Sequence, residues 1–479
     1  MTDFIFQTEP YRHQREAFDS SAGAENFALL MDMGTGKTKV CIDTIGQNFE
    51  SKRINFALIV APKGVIANWV GEIETHLPDR IDREVALWKP NLTKAKRKEL
   101  KDLSEPSSKL KFLLMNVEAF STKKGADVAE FFVKKFNAMM AVDESTTIKN
   151  RQAKRTKTIC SVGRGAVMRR ILTGSPVTKS PMDLFSQMDF LSPKILGFKS
   201  YYAFQGRYAV VQRRTMGSHS FNHIVGFQRL NELTDTLDKH SFRVRKEDCL
   251  DLPDKVYMRR EVELTKEQSD AYTQMKHLAL ARLDSGDLST TQNVLTQIMR
   301  LQQICLGSLT DDDGEVHPLK SNRQSELMDI CDEIQGKAII WATWTQDIRS
   351  IAEALRDRFS VPAVATLHGE TPDLDRQQIV ESFQDRQSEL RFIVGHPKTG
   401  GYGLTLTAAN TVVYFSNSYD LELRLQSEDR AHRIGQENKV TYIDLISPGT
   451  IDEKIVDALR NKIKIADTIL GEDARDWLA

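Results

Sequence analysis

The sequence carries no net charge: 66 Lys and Arg are matched by 66 Asp and Glu in 479 residues. A strongly basic chain would point to nucleic acid by charge alone. That pointer is missing, although overall balance leaves room for a local basic groove. Cysteine is scarce and scattered. The five, Cys41, Cys160, Cys249, Cys305 and Cys331, form no CxxC pair. This argues against a zinc site and a disulfide framework, and free thiols suit a reducing cytosol. No apolar run approaches the ~18 residues a membrane span requires. The opening MTDFIFQTEPYRHQ has acidic residues and no apolar h-region, so no signal peptide is expected. Repeats and low-complexity tracts are also missing. What is present is an ordinary globular composition, 40% hydrophobic, enough for two or three domains at roughly 100–200 residues each.

Two stretches show the rhythm of parallel α/β layers, with short apolar runs, a turn, then a helical pattern. In residues 20–195 the strand candidates are Phe27–Met31, Phe56–Ala61, Phe112–Met115, Met139–Val142 and Arg170–Leu172. In residues 325–460 they are Ala338–Trp341, Ala363–Leu367, Phe392–Val394, Thr411–Phe415 and Val440–Leu445. Continuous apolar strands are buried on both faces. The intervening segment, 225–305, is more helical, with amphipathic stretches at Ala271–Leu283 and Val294–Cys305. TDDDGEVHP (310–318) is an acidic break that predicts the lobe boundary. The expected division is residues 1–240, a helical connector over 241–320, and 321–479. Near the C-terminus, Thr450 opens an amphipathic helix expected over Ile451–Leu470, with an Asp-Glu pair in its first turn.

The string MDMGTGKT (31–38) follows a strand and opens a helix. Met33, Gly34, Thr35 and Gly36 can turn backbone N–H groups toward phosphate oxygens, Gly34 and Gly36 being free to adopt the necessary dihedrals. Lys37 reaches the β/γ-phosphates, and the Thr38 hydroxyl completes a Mg2+ shell. Met31 occupies the first slot, usually Gly, of the GxxxxGK[ST] pattern. Asp143 and Glu144 end the apolar run AMMAV, at the edge where open α/β sheets bind ligands. Alone, such a pair reads as a solvated turn. Downstream of a phosphate loop, Asp143 reads as an oxygen ligand for Mg2+, and Glu144 as the group that orients and deprotonates an attacking water.

In the second half, QSEDRAHRIGQ (426–436) places Arg430 and Arg433 on one helical face. Two guanidiniums suit charge spreading over a transferring γ-phosphoryl group. The alternative is a surface helix with ion pairs to Glu428 and Asp429. KTGGYGLTL (398–406) offers Gly400, Gly401 and Gly403 for close backbone approach to a ligand, or as a flexible loop. KSYYAFQGRYAVVQRR (199–214) interleaves aromatics with Arg207, Arg213 and Arg214. This is either a stacking surface for nucleic acid or core aromatics. The basic stretch Arg151–Arg170 reads as a DNA track or as solvated surface.

These strings stand in a known order. The sequence resembles the superfamily-two helicases and, within them, the Swi/Snf-like double-stranded DNA translocases. YRHQREAF (11–18) resembles the adenine-sensing segment, with Gln14 as reader. MDMGTGKT corresponds to motif I, VAPKGVIANW (60–69) to motif Ia, and DESTTIKN (143–150) to motif II. LTGSP (172–176) corresponds to motif III, whose hydroxyls Thr173 and Ser175 link the ATP site to the DNA site. FRVRKEDCLDLPDK (242–255) and QIMRLQQIC (297–305) resemble branch-specific segments. IIWATWTQDI (339–348) resembles motif IV, and LHGET (367–371) the segment after it. TGGYGLTLTAANTVV (399–413) resembles motif V and QSEDRAHRIGQ motif VI, while GTIDEKI (449–455) matches the closing helix. Two departures stand out. Thr146 replaces the usual His of motif II, a position that connects hydrolysis to nucleic acid, and NSYDLELRLQ (417–426) lacks the usual Trp-Asn-Pro.

The resemblance implies two RecA-like parallel-sheet lobes with ATP and Mg2+ in a cleft between them. Gln14, Lys37, Asp143 and Glu144 come from one wall; Gly403, Arg430 and Arg433 come from the other. Lys63, Thr173 and Thr405 are implied on the nucleic-acid track. With no appended zinc or chromatin-reading module, a minimal motor in the cytoplasm of a bacterial or phage-infected cell is expected. The leading function is a DNA-dependent ATPase that translocates on duplex DNA. The alternatives are a strand-separating or branch-migrating helicase, an ATP-gated binding module with little hydrolysis, and an enzyme acting on RNA.

Overall fold

Alternate residues of one strand point to opposite faces of a sheet, so a strand apolar throughout needs a core on each side. The computed structural model, which describes residues 4–457 and Leu459 apart from 91–92, 178–179, 217–218, 250–251, 285–290, 311–314, 370, 401–403 and 419, meets this requirement twice. The strands in chain order are β1 Asn26–Met31, β2 Phe56–Ala61, β3 Arg83–Leu87, β4 Leu110–Asn116, β5 Ala138–Asp143, β6 Met168–Leu172, β7 Ala209–Met216, β8 His219–Phe227 and β9 Ser241–Val244. They continue as β10 Lys255–Glu261, β11 Ser308–Thr310, β12 Val316–Pro318, β13 Lys337–Trp341, β14 Val364–Leu367, β15 Phe392–Gly395, β16 Ala409–Tyr414 and β17 Val440–Ile446.

The first sheet runs β3-β4-β2-β5-β6-β1-β9, every pairing parallel. Phe56, Leu58 and Val60 of β2 pack with Met140 and Val142 of β5 on one face, while Ala57, Ile59 and Ala61 pack with Met139 and Ala141 on the other. The second sheet runs β10-β17-β16-β13-β15-β14, also parallel. Ala338 and Ile340 face one core, Ile339 and Trp341 the other. Both lobes are thus parallel-sheet α/β units, as the apolar runs predict. All ten strand candidates coincide with strands.

The chain divides into two compact units, the second beginning at Leu252. Residues 241–320, expected as a helical connector, are shared between the sheets: β9 adds an edge to the first and β10 an edge to the second. The expected helices are present as Lys266–Asp284 and Thr291–Leu306. Residues 451–457 are helical, and the Thr450 hydroxyl accepts from the Asp452 N–H (3.3 Å), the N-terminal cap anticipated from sequence. Most of the remainder of the expected Ile451–Leu470 helix lies outside the described residues. The hairpin β7–β8 forms a separate two-stranded antiparallel sheet. Among the described residues, no helix is long and apolar enough to cross a membrane.

Candidate functional site

Strands β2, β5, β6 and β1 are consecutive neighbours in the first sheet. All run parallel, so the loops after Ala61, Asp143, Leu172 and Met31 emerge along one edge. Motifs scattered over the first 180 residues therefore converge, as expected where open α/β sheets bind ligands.

The loop after β1 turns on two glycines at positive φ, Gly34 (78°) and Gly36 (90°). A Cβ at Gly36 would also lie 2.2 Å from Nε2 of Gln14 and would displace that amide. The helix Lys37–Glu50 begins directly after it and directs its free N–H groups into the loop. The loop is held from behind: Thr35 Oγ1 donates to Asp32 O (2.8 Å), and the Lys246 N–H donates to Asp32 Oδ2 (3.1 Å). His13 Nε2 and Gln14 Nε2 both donate to Thr35 O, at 2.8 and 3.1 Å. Gln14 Oε1 accepts from the Tyr11 N–H (3.1 Å). The glutamine expected to read adenine thus fastens the phosphate loop, keeping a second N–H and a second lone pair for a base.

Lys37 and Glu144 are brought together. Nζ lies 3.7 Å from Oε1, and each side chain is 10% exposed. Glu144 adopts φ 48°, ψ 60°, a left-handed conformation that costs a non-glycine residue about 1–3 kcal/mol and persists where its surroundings enforce it. Its own N–H donates to Asp143 Oδ1 (2.9 Å). The other Asp143 oxygen accepts from the indole Nε1 of Trp69 (2.8 Å). Trp69 belongs to the motif Ia string, but its partner lies 74 residues away, so no local pattern identifies it as a support for the metal-ligand candidate. Thr38, half-buried, supplies the neighbouring hydroxyl.

The loop after β6 packs on the phosphate loop. A Cβ on Gly174 would meet Asp32 Cα at 3.2 Å and Met33 N at 3.3 Å. Thr173, read from sequence as a nucleic-acid contact, is buried, and its hydroxyl accepts from the Ser175 N–H (3.2 Å). A side chain so enclosed shapes the loop rather than reaching a ligand at the surface. Lys63 is exposed in a short 3-10 turn after β2.

The basic stretch Arg151–Arg170 divides. Arg170 is fully buried and donates to four carbonyls, of Ser21, Ala24, Glu25 and Arg169; burial lowers its pKa to about 10. It belongs to the core, not to a track. Arg151 lies 4.2 Å over the Tyr201 ring. Phe204 and Tyr208 are core, whereas Tyr202 is 70% exposed.

In the second unit, the arginine segment does not behave as a surface helix. Glu428 is buried and accepts from Arg424 Nε (2.8 Å), Lys255 Nζ (3.0 Å) and the Tyr257 hydroxyl (2.7 Å). Burial alone would raise its carboxyl; Lys255 and Arg424 instead hold it at about 2. Arg424 also donates to both oxygens of Asp444 and lies 3.5 Å over the Tyr414 ring. His432 Nε2 donates to Pro253 O (2.8 Å). The helix Leu421–Glu428 and the turn after it are thereby locked to the start of this unit. Arg430 is buried, donating to Gln426 O (3.1 Å) and Leu404 O (3.3 Å), which joins the motif V and VI strings. Arg433 and Thr405 are half-buried. Gly403 lies outside the described residues.

Two family models match the chain: the SNF2-related domain over residues 19–308 and the helicase conserved C-terminal domain over 321–435. Among curated relatives, a putative ATP-dependent helicase/translocase, YwqA, of Bacillus subtilis is 28% identical over 94% of this chain and 47% of its own length. A probable ATP-dependent DNA helicase, CHR12, of Arabidopsis thaliana is 25% identical over 92% of this chain and 40% of its own. The chain thus spans less than half of these relatives. A solved Sulfolobus solfataricus SWI2/SNF2 ATPase core in complex with dsDNA is 24% identical, covers 98% of this chain and 95% of that one, and gives a TM-score of 0.43. With the SNF2-related model covering well over half of its residues, the chain belongs to the SNF2-related family.

Proposed function

We propose that this chain is a DNA-stimulated ATPase that moves along duplex DNA without separating its strands, using Lys37, Glu144, Arg430 and Arg433 for hydrolysis. The observation that carries the proposal is the Lys37–Glu144 pair, 3.7 Å apart and each 10% exposed, at the carboxyl edge of β5 and β1. Lys37 exchanges Glu144 for the β/γ-phosphates as ATP enters. Glu144, released, orients the attacking water and takes its proton on the carboxylate. Arg430 and Arg433, supplied by the second unit, meet the γ-phosphoryl charge when the lobes close, so closure completes the site. Lys63 and Thr405 are proposed to hold DNA phosphates, a grip independent of sequence. Five free cysteines, four of them buried, support action in a reducing cytoplasm.

A hard divalent cation fits the donor set. Thr38 offers a hydroxyl and Asp143 a carboxylate whose hydrogen bonds leave lone pairs on both oxygens. Mg2+ takes one or two protein carboxylates beside nucleotide phosphates. When bound, it neutralises charge on the phosphates. Trp69→Phe removes the donor that orients Asp143 Oδ2. The Mg2+ concentration giving half-maximal ATPase is expected to rise about 10- to 100-fold; an unchanged Mg2+ titration would refute Trp69 as the support of the Asp143 carboxylate.

The decisive assay measures ATP turnover with single-stranded DNA, duplex DNA, forks and RNA, alongside displacement of a triplex-forming third strand. Duplex stimulation with third-strand displacement and intact forks is expected. Fork unwinding without triplex displacement would overturn the proposal in favour of strand separation. One observation favours that second reading: β7–β8 stands as a hairpin outside both main sheets, the form a wedge would take.

A further inference from the structure

The left-handed turn at Glu144 needs an external support, and the following residue has one. Ser145 Oγ donates to Gln187 Oε1 at 2.6 Å. The same amide donates through Nε2 to Pro176 O (2.7 Å) and Asp183 O (2.9 Å). Ser145 and Gln187 are both fully buried. Gln187 lies on the helix Leu184–Leu191, after the recognisable 172–176 string. Its neighbour Ser186 donates to Ile148 O (2.7 Å) and Lys149 O (2.9 Å), pinning the far end of the same turn.

We infer that Gln187 is a positioning residue for hydrolysis, tying the Glu144–Ser145 turn to the 173–176 loop and holding the Glu144 carboxylate where it meets the attacking water. The inference rests on the catalytic role proposed for Glu144. The chemistry is selective. One end of the side chain must accept from a hydroxyl while the other donates to carbonyls, which an amide does and neither a hydrocarbon nor a carboxylate can. Gln187→Met keeps length and packing but removes both functions. Ser145→Ala removes only the hydroxyl from the other side. Losing either link lets the turn relax and moves Glu144 off its target, while Lys37 and the phosphate loop still bind nucleotide.

The test is a double-mutant cycle on the full chain, measuring kcat and the Kd of ADP and of a non-hydrolysable ATP analogue, with thermal midpoints alongside. Gln187→Met and Ser145→Ala are each expected to lower kcat about 10- to 100-fold, since misplacement of a reacting group by about 1 Å has that effect. The Kd for both nucleotides stays within about threefold, and the double variant is no slower than the worse single one, because both remove the same bond. Wild-type kcat in either variant, a loss confined to nucleotide affinity, or multiplying effects in the double variant would overturn the inference. Should Gln187→Met fail to fold, Ser145→Ala decides alone. Glu144→Gln separates the two levels: if it turns over like wild type, the catalytic reading itself falls, whereas if it is inactive and the Gln187 and Ser145 variants are not, only the inference does.

Discussion

Lys37→Ala is expected to reduce ATP turnover to background, a loss of about 10³-fold or more, because no other residue of the loop can bring a cation to the β/γ-phosphates. The surroundings sharpen this. Lys37 and Glu144 are each 10% exposed and 3.7 Å apart, so each is the other's counter-charge before ATP arrives. Removing the lysine therefore has two effects. It deletes a phosphate contact, and it takes from the buried Glu144 carboxylate the cation 3.7 Å away, which lowers stability. A thermal midpoint must accompany the rate. Lys37→Ala combined with Glu144→Gln restores charge balance without restoring catalysis. The double variant should regain stability and remain inactive. Phosphate release at saturating DNA checks the prediction, and wild-type-like turnover in Lys37→Ala would contradict the assignment of this loop.

The central strands were readable because Phe56–Ala61 or Met139–Val142 must be apolar on both faces to lie mid-sheet. Of the four edge strands of the two main sheets, Val364–Leu367 was readable from its apolar run, but three were not. Arg83–Leu87, Ser241–Val244 and Lys255–Glu261 carry arginines, lysines and glutamates on exposed or half-exposed positions, so their composition reads as loop. The phosphate loop and the Asp143-Glu144 pair announce themselves because their chemistry is local in sequence. Their supports do not. Trp69 meets Asp143 across 74 residues, Ser145 meets Gln187 across 42, and Lys255 meets Glu428 across 173. Charge also misleads where carbonyls replace water. Arg170 and Arg323 look like surface residues, yet both are buried. Arg323 donates to Phe415 O, Leu445 O and Asp452, each bond satisfying a guanidinium donor that burial would otherwise strand. The same reasoning separates the two arginines of motif VI, which their shared spacing does not distinguish.

Arg433→Ala is expected to keep nucleotide affinity within a few-fold and lose about 10³-fold or more in kcat, as removal of an arginine that stabilises only the transition state does. The two arginines do not carry equal structural roles. Arg430 is buried and spends donors on Gln426 O and Leu404 O, so Arg430→Ala also loosens the loop around Leu404 and confounds rate with stability. Arg433 is half-buried, and the turn that presents it is fixed independently by Glu428, Lys255, Arg424 and the His432–Pro253 contact. Arg433→Lys is expected to recover little of the rate, since a planar fork matches two phosphoryl oxygens and a flexible ammonium does not. Single-turnover hydrolysis together with equilibrium titration of a fluorescent ADP resolves the prediction. A variant that hydrolyses at the wild-type rate would remove Arg433 from the active site. One that loses affinity in proportion to rate would make it a ground-state binding residue, and the closure step proposed to deliver it late would no longer be needed.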